Sequence, residues 1–433
     1  MRTVLIVSPH VPPINAPDFQ RVRMSAPYYE EFGWNPVFLG VTPDAVSFLQ
    51  EPLLLKTIPE HIVLHRVKAI PLAWTKKIGI TTIALRAFAQ YYFAGLNLIR
   101  QHKVDLIYFS TTMFPLFILG RLWNKSTGTP YVFDMQDPWV SDYYEHRSAE
   151  ERPPKYRTAQ TFHRCLEPFA MKRASGIIAV SEAYHRDIRK RYPWIREDLC
   201  ATLPFGASVG DFKVAEGMSF ENTFFKSDDG CLHGVYAGVL GNVMKQTCRA
   251  ICLALKSGLS SNPELFSRLR LHFIGTSYDA GPNPSLTIRP IAQELGIEKY
   301  IYEEPRRQSY LNVLRLLKEA AFLLMPGSDN PQYTASKVYP YILAGKPLLA
   351  IFHEASSVVS VIKNTRAGEM VCFSSNQTAE EIAKHLLPVW ENLLGRLPFT
   401  PSTNWQAFEP FSARSVTQKE CALFDRVLQH EKH

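Results

Sequence analysis

Residues 325–350 of the chain read MPGSDNPQYTASKVYPYILAGKPLLA. An apolar run ends at Met325, a polar loop follows, and a short helical segment stops at Gly345 before a second apolar run begins at Pro347. Glycine commonly ends a helix, and proline cannot continue one. Two buried strands connected by a helix are the unit of a parallel β-sheet that is covered by helices. The stretch therefore predicts an α/β fold.

The same alternation extends in both directions from this stretch. Short β-rich runs are followed by helical periodicity, and they lie at 3–7, 37–39, 62–67, 104–110, 131–133 and 177–180 in the first half and at 235–236, 269–274, 321–325, 347–351 and 370–373 in the second. Periodicity is lost from 210 to 230, directly after the sequence LPFGAS at 203–208. We predict two doubly wound, Rossmann-like domains, 1–205 and 231–404, joined by a linker over 206–230.

The composition of the chain indicates which kind of ligand the protein binds and in which cellular compartment it works. The 433 residues include 48 Lys and Arg against 40 acidic residues, a net charge of +8. This excess favours acidic ligands or an anionic membrane surface without requiring nucleic acid. Seven cysteines form no Cys-x-x-Cys pair and no cluster at zinc spacing, which favours a reducing compartment and no metal site. We expect a cytoplasmic protein, because the first apolar stretch is too short for a signal peptide and 78–98 is too polar to span a membrane.

Ligands of doubly wound sheets bind beyond the carboxyl ends of the strands. Ser336 and Lys337 begin the helix of the 325–350 stretch on that side of the sheet. Amide donors, the helix dipole and a lysine charge at this place would stabilise a diphosphate. The alternative is a lysine that is simply solvated at the surface.

The start of the second domain has a similar pattern. It reads VYAGVLGNVMK over 235–245, so that Gly238 and Gly241 lie between a strand and a helix and Lys245 begins that helix. Glycines here let a phosphate approach the backbone. The sequence is neither a Walker loop nor Gly-x-Gly-x-x-Gly, and a tight turn is the alternative.

Two loops of the first domain carry candidate groups. After the first strand, four prolines stiffen the loop that holds His10, and Asp18 is predicted to cap the helix that carries Arg21. His10 and Arg21 could contact a substrate, or the loop could be a surface connection. After the run 131–133, Asp137 could bind a hydroxyl or act as a base, and Trp139 could offer an apolar face to a sugar ring. The alternative for Asp137 is a cap of the following turn.

These motifs together resemble GT-B glycosyltransferases, and most of all the retaining family four. The family's strand-Ser-Glu, crossover, glycine-loop and Gly-Lys-Pro landmarks correspond in order to IIAVSE at 177–182, LPFG at 203–206, YAG with Lys245 from 236, and SKVY through GKP at 336–347. The segment DMQDPW at 134–139 is similar to the D-x-R-D-P-W of some members. The resemblance covers nearly the whole chain.

The resemblance implies two domains facing across a cleft, with a C-terminal helix from 405–433 crossing back to the first. The first domain would bind a glycan or lipid-linked acceptor, and the second a nucleotide-diphosphate sugar, which is a donor substrate and not a cofactor. It further implies transfer with retention of anomeric configuration and without a metal ion. Lys245, Lys337, Asp137 and His10 would be catalytic. Donor contacts would come from Gly238, Gly241, Tyr333, Ser336 and Val338, and acceptor contacts from Arg21 and Trp139.

Three positions depart from the family pattern. The arginine of the glycine loop is missing at 239–241, the carboxylate that grips the ribose is replaced by Pro340, and Gln136 stands where many members have histidine. Proline also disfavours helical geometry at the preceding residue, so the helix is expected to begin later than usual. These departures support an alternative function, a GT-B-shaped binding or scaffold subunit. A nucleotide-sugar epimerase is a more distant alternative, because its catalytic set is not evident.

A membrane contact is a further expectation. The sequence WTKK at 74–77 leads into an apolar helix with Arg86, Tyr91, Tyr92 and Phe93, and this segment could rest on an anionic surface. The alternative is a helix that packs only on the core.

Overall fold

The computed structural model describes residues 1–140, 145, 152, 156–279, 281, 283–330, 333 and 335–431. The chain divides into two compact units. The first comprises Met1–Gly206 with Ala413–His433, and the second comprises Ala207–Ser412.

A seven-stranded sheet forms the centre of the first unit, with all neighbouring strands parallel. In chain order its strands are β1 Arg2–Val7, β2 Trp34–Val41, β3 Leu64–Val67, β4 Leu106–Ser110, β5 Tyr131–Met135, β6 Gly176–Ala179 and β7 Cys200–Thr202. The spatial order is β3-β2-β1-β4-β5-β6-β7. Order therefore reverses between β1 and β4, and the loops after these two strands flank the crevice that such sheets use for ligands.

Helices cover this sheet, and its central strands β4, β5 and β6 are buried along their whole length. They are α1 Gln20–Ser25, α2 Leu72–Thr75, α3 Ile83–Arg86, α4 Phe88–Gln101, α5 Ile118–Thr127, α6 Tyr156–Met171, α7 Glu182–Arg191 and the C-terminal helix, named α17 below, Ala413–His430. The ring of Phe424 in this last helix lies 5.3 Å from that of Trp34 and 5.1 Å from that of Tyr108. The C-terminal helix thus packs in the first unit, as predicted.

A six-stranded parallel sheet forms the centre of the second unit. Its strands are β8 Leu232–Ala237, β9 Leu269–Ile274, β10 Ile301–Glu304, β11 Phe322–Pro326, β12 Leu348–His353 and β13 Glu369–Phe373, in the spatial order β10-β9-β8-β11-β12-β13. Its helices are α8 Val209–Glu216, α9 Lys245–Ser261, α10 Pro263–Phe266, α11 Arg289–Leu295, α12 Tyr310–Glu319, α13 Val338–Ala344, α14 Ser357–Thr365, α15 Ala379–Gly395 and α16 Trp405–Phe408.

The α/β class with two parallel sheets is confirmed. The first unit ends at Gly206, one residue from the predicted bound of 205, whereas the predicted linker and the start of the crossing segment differ from the two units. The segment 206–230, expected to be a linker, contains α8, whose Phe212 is buried and whose Asp211 accepts a hydrogen bond from Tyr310. The stretch 405–412, expected to cross back, stays with the second unit because Phe411 packs against Tyr339 at 5.1 Å between rings.

None of the helices in the described part of the chain is long and apolar enough to cross a membrane.

Candidate functional site

His10 lies in the loop after β1 and is almost fully buried. Its Nδ1 is 2.7 Å from Asp18 Oδ1, and the hydroxyl of Thr111, which follows β4, donates to Asp18 Oδ2 at 2.6 Å. The reversal of strand order between β1 and β4 brings these loops together. Asp18 therefore fixes the orientation of the His10 ring, as carboxylates do in acid–base pairs.

Asp18 does not cap the helix of Arg21, which corrects our prediction. The residue preceding α1 is Phe19, and Asp18 lies inside the short 3-10 turn Pro17–Phe19. Burial alone would raise the pKa of Asp18, but attraction to His10 and hydrogen bonds from His10 and Thr111 outweigh it and hold the pKa below its usual value.

Arg21 is part of the core and not, as predicted, an acceptor contact. Its guanidinium donates from Nε to Asp134 Oδ2 at 2.8 Å and from its terminal nitrogens to the carbonyls of Leu203 and Pro204 at 2.8 and 3.2 Å. Burial opposes the charge, but Asp134 outweighs it and the pKa of Arg21 is raised. Arg21 thus ties α1 to the end of β5 and to the segment after β7.

Gln136, which replaces the family histidine, joins the same network. Its Nε2 donates to the carbonyl of Asp18 at 2.8 Å, to Ser110 Oγ at 3.0 Å and to Asp134 Oδ2 at 3.1 Å. The amide therefore couples the His10 loop to the Arg21–Asp134 pair.

Trp139 is buried and does not offer a face to a sugar, which also corrects our prediction. Its indole stacks on Phe114 with 5.5 Å between rings, and its Nε1 donates to His163 at 2.7 Å. Asp137, two residues earlier, is exposed. The protein around its carboxyl nevertheless removes hydration and raises the pKa of Asp137 to about 6. A carboxyl that titrates near 6 can act as a general base.

Glu420 of α17 is a further buried carboxyl of the first unit. It accepts hydrogen bonds from Tyr29 and from Ser25 Oγ, and burial raises its pKa to about 7, helped by the charge of Asp134 and opposed by Arg21. The folded protein thus favours protonated Glu420, whose stabilising contribution is complete below about pH 4.5 and is lost as the pH rises to about 7.

Glu420→Gln should remove this dependence. We expect the free energy of unfolding of the variant, relative to the wild type, to increase by about 3 kcal/mol between pH 4.5 and pH 8, because glutamine cannot ionise. Urea denaturation at several pH values measures it, with Glu409→Gln at an exposed position as the control. A difference that does not change with pH would contradict the protonated state of Glu420.

The second unit also reverses strand order, between β8 and β11. Gly238 directly follows β8, and Lys337 of the β11–α13 loop folds over it. A Cβ added to Gly238 would lie 2.0 Å from Lys337 Cε and 2.4 Å from Nζ, and the φ of +147° disfavours a side chain as well. Gly238 therefore provides the space that the Lys337 ammonium occupies.

Lys337 is held over Gly238 by a contact with Tyr236 and by the attachment of helix α13 to the end of β8. Its Nζ donates to the Tyr236 hydroxyl at 3.3 Å and lies 5.5 Å from the centre of that ring. Burial, with a smaller repulsion from Arg307, lowers the pKa of Lys337 to about 8. Tyr341 of α13 pins the helix to the strand end, because its hydroxyl accepts from the Ala237 amide at 2.7 Å.

The helix starts later than Ser336 and Lys337, where the sequence predicted its beginning, but Pro340 does not prevent helical geometry at Tyr339. Helix α13 begins at Val338, and Tyr339 adopts helical geometry. Pro340 is the third residue of the helix, and an amide N–H at that position has no partner within the helix. The N–H that proline lacks is therefore lost at little cost in helix stability. Pro340 still has no group that could bind a ribose hydroxyl.

The remaining candidates of the second unit differ in exposure. Lys245 is exposed at the first residue of α9, Ser336 is exposed, and Val338 is buried. Tyr333 is half-buried and its carbonyl accepts from Ser356 Oγ at 3.1 Å. Gly241 begins the turn into α9, with its carbonyl accepting from the Met244 amide at 2.9 Å. The positive charge of Arg307, a residue that was not predicted, contributes to the lowered pKa of Lys337.

Three residues at this edge were not predicted. Arg307 follows β10 and is half-buried, and Asp329 follows β11 with a buried Oδ1 that accepts no hydrogen bond within the described part of the chain. Glu303 of β10 accepts from Thr276 Oγ1 and from the amides of residues 287–289 at 2.8–3.0 Å. A signal for Arg307 existed in the pair of arginines at 306 and 307, although two glutamates and a proline separate this pair from the apolar residues before it.

The described residues contain no group of three or more His, Cys, Asp or Glu side chains that could hold a metal ion.

Residues 20–206, most of the first unit, match the glycosyl transferase 4-like domain. The matched segment includes Arg21, Asp134 and Asp137, whereas His10 and the second unit lie outside the match. No match was found among curated protein sequences.

Solved structures of GT-B proteins share the fold over the whole length. Anabaena HepE, solved with UDP and with UDP and glucose, is 14% identical with a TM-score of 0.54, and the alignment covers 99% of this chain and 98% of that one. A UDP-forming α,α-trehalose-phosphate synthase from Burkholderia xenovorans is 12% identical with a TM-score of 0.55, covering 100% and 99%. A putative UDP-N-acetylglucosamine 2-epimerase from Listeria monocytogenes is 10% identical with a TM-score of 0.52, covering 99% and 97%. At these identities the likeness shows the fold alone, and the predicted GT-B fold is confirmed.

Proposed function

We propose that this protein is a glycosyltransferase that moves a sugar from a nucleoside-diphosphate donor to a glycan or lipid-linked acceptor, with retention of anomeric configuration. The observation that carries the proposal is the ammonium of Lys337, held over Gly238 at the carboxyl end of β8. The glycosyl transferase 4-like domain in the first unit supports it independently.

Lys337 suits the leaving group of this reaction. When the bond from the anomeric carbon to the phosphate oxygen breaks, its electron pair stays on the diphosphate, while the acceptor oxygen bonds to the carbon and loses its proton. A cation fixed beside that oxygen lowers the barrier. The lowered pKa of Lys337 means that the empty site disfavours the ammonium, whereas an adjacent diphosphate would favour it.

UDP is the first nucleotide to test. HepE was solved with UDP and with UDP and glucose, and the Burkholderia synthase is described as UDP-forming. Because such distant likeness shows the fold alone, UDP as the nucleotide of this protein is part of the proposal. We assign the donor to the second unit, where Lys337 and Gly238 lie at the end of β8 and Tyr333 packs against the core that contains Tyr236.

The acceptor is assigned to the first unit. The His10–Asp18 pair and Asp137 each offer a group that can accept the proton of an acceptor hydroxyl. Retention and the absence of a metal ion or cofactor follow from the resemblance to family four.

One assay series tests the proposal. Purified protein is incubated with UDP-, GDP- and ADP-sugars, with and without oligosaccharide or polyprenyl-phosphate acceptors, and release of nucleoside diphosphate is measured with and without EDTA. We expect one donor to be consumed without added metal, and NMR to show a product with the anomeric configuration of the donor. A product of opposite configuration would exclude retention.

A second candidate, a scaffold subunit without turnover, is favoured by Pro340 and by the missing glycine-loop arginine. Thermal unfolding separates the two, since a ligand at a hundred times its Kd adds about 2.7 kcal/mol of stability. If UDP, GDP and ADP all leave the unfolding temperature unchanged, the scaffold is favoured.

We also propose that the protein acts in the cytoplasm at an anionic membrane, through the surface around α2. Trp74 is 70% exposed, Ile78 73% and Leu72 44%, beside the exposed Lys76 and Lys77. From 61 to 104 the chain has seven Lys and Arg and no acidic residue. Helix α4 packs on the core through Tyr91, although Phe93 is 69% exposed. Exposed apolar side chains among lysines suit the interface of an anionic bilayer.

Trp74→Ser combined with Ile78→Ser should abolish membrane binding. We expect wild-type protein to sediment with vesicles containing 30% phosphatidylglycerol, and the variant to remain in solution, because both apolar anchors are lost. Trp405→Ser, which removes a tryptophan that is 51% exposed in the second unit, is the matched control and should sediment. Equal sedimentation of both variants would contradict the assignment of this surface.

A further inference from the structure

Two cationic residues follow strands of the second sheet at its carboxyl edge. Lys337 lies over the end of β8, and Arg307 lies three residues beyond β10. Arg307 is half-buried, and its Nε atom is shielded from solvent.

Backbone hydrogen bonds fix Arg307 relative to the Gly238 loop. The amides of Gly275 and Ser277 donate to the carbonyls of Glu304 and Pro305 at 2.7 and 3.0 Å. The Leu240 amide in turn donates to the Thr276 carbonyl at 2.9 Å. The loops after β8, β9 and β10 are thus joined by backbone hydrogen bonds into one surface, called the ledge below, which contains residues 238–240, 275–277 and 304–307.

Side chains make this ledge rigid. Glu303 accepts hydrogen bonds from the Thr276 hydroxyl and from three backbone amides at the start of α11. The Thr287 hydroxyl donates to the Leu240 carbonyl at 3.1 Å. Gly275 has a φ of +71°, and a Cβ added there would lie 4.0 Å from Arg307 Cα. The backbone of Arg307 is therefore held at a defined position within this surface.

The charges of Arg307 and Lys337 act on each other. Burial is the larger cause of the lowered pKa of Lys337, and the positive charge of Arg307 adds to it. Like charges at one half-buried site repel each other, and a ligand with at least two negative charges would relieve this repulsion. A nucleoside monophosphate has a single phosphate group. A diphosphate has two, so each can contact one of the two cations.

We propose that Arg307 is a donor-binding residue that, together with Lys337, selects the diphosphate of the nucleotide. The planar guanidinium would bind one phosphate through two parallel hydrogen bonds, while the ammonium binds the other as a point charge. This inference rests on the proposed function of the site, and it supplies a cation that the glycine loop at 239–241 lacks.

The test measures the binding of UDP, GDP and ADP to wild-type protein by calorimetry, and then compares the tightest of them with its monophosphate. Arg307→Ala should weaken diphosphate binding about 10- to 100-fold and leave monophosphate binding within about threefold, since one charge-assisted contact is lost. Arg307→Lys should fall between the two, because it keeps the charge but not the paired hydrogen bonds.

Arg306→Ala is the matched control, since it removes the same charge from the preceding, exposed residue. It should keep the wild-type preference for the diphosphate. If Arg307→Ala keeps that preference as fully as Arg306→Ala does, the inference is overturned while the proposed function stands. If no nucleoside diphosphate binds wild-type protein, the proposed function fails and this inference fails with it.

Discussion

Lys337→Met is expected to lower the rate of sugar transfer about 100- to 1,000-fold. The variant keeps the length of the side chain and removes the ammonium, so that negative charge on the departing diphosphate is no longer neutralised from above Gly238. A loss of this size is typical when one preorganised group that stabilises developing charge is removed. Steady-state release of nucleoside diphosphate, measured with the donor found in the assay series, tests it.

The same variant should be more stable than the wild type at pH 7. Lys337 has a lowered pKa of about 8 in the folded protein, so the folded state is penalised for charging it at lower pH. The penalty is complete below about pH 8 and disappears as the pH rises toward the ordinary value of 10.5. We therefore expect the gain in unfolding temperature to shrink above pH 8. Lower activity combined with higher stability separates a functional loss from misfolding.

Two further variants sharpen this result. Gly238→Ala keeps Lys337 but fills its place, and because the clash involves the flexible end of that side chain, we expect a folded protein with a similar loss of activity. Lys363→Met, at an exposed position of α14, should change neither activity nor stability by much. Transfer by Lys337→Met within threefold of the wild type would contradict the role of the ammonium.

Arg21→Met should destabilise the first unit by about 3 to 5 kcal/mol. The substitution leaves Asp134 buried at 0% exposure without its main cationic partner, and the carbonyls of Leu203 and Pro204 lose their donors. Removing one partner of a buried ion pair has this effect because the other charge stays uncompensated. Urea denaturation followed by circular dichroism measures the change.

A double variant identifies the cause. Asp134→Asn added to Arg21→Met removes the uncompensated charge, and the new amide oxygen can still accept from Ser110 and Gln136. We expect the double variant to recover at least half of the lost stability. If it is no more stable than Arg21→Met, packing and not charge accounts for the loss.

The two strands that the sequence analysis missed are both edge strands. β7 has three residues, and β10 contains two glutamates that interrupt its apolar pattern. Edge strands are short and partly solvated, so they lack the continuous apolar runs by which central strands such as β9 are found. The central strands and their order along the chain were predictable because burial on both faces requires apolar residues.

Site residues were predictable to a smaller extent. The position of Lys337 at the carboxyl edge of the sheet was predictable, because it lies in a loop between a buried strand and a helix. Arg21 and Trp139 were assigned to an acceptor from similar loop positions, yet their side chains turn into the core, where Asp134 and Phe114 receive them. Residue type and loop position do not fix the direction of a side chain, because that depends on partners that are distant along the chain.

The amino-acid sequence by itself determined the α/β class, the two parallel sheets and the candidate lysine, since these depend on local periodicity and on the residues that end helices. Only the tertiary structure decided which groups meet. Arg21 pairs with Asp134 across 113 residues, and Lys337 lies over Gly238 nearly a hundred residues earlier in the chain, because the order of strands in each sheet brings those loops together. Charge, burial and pKa at the site follow from these long-range contacts, which local sequence does not encode.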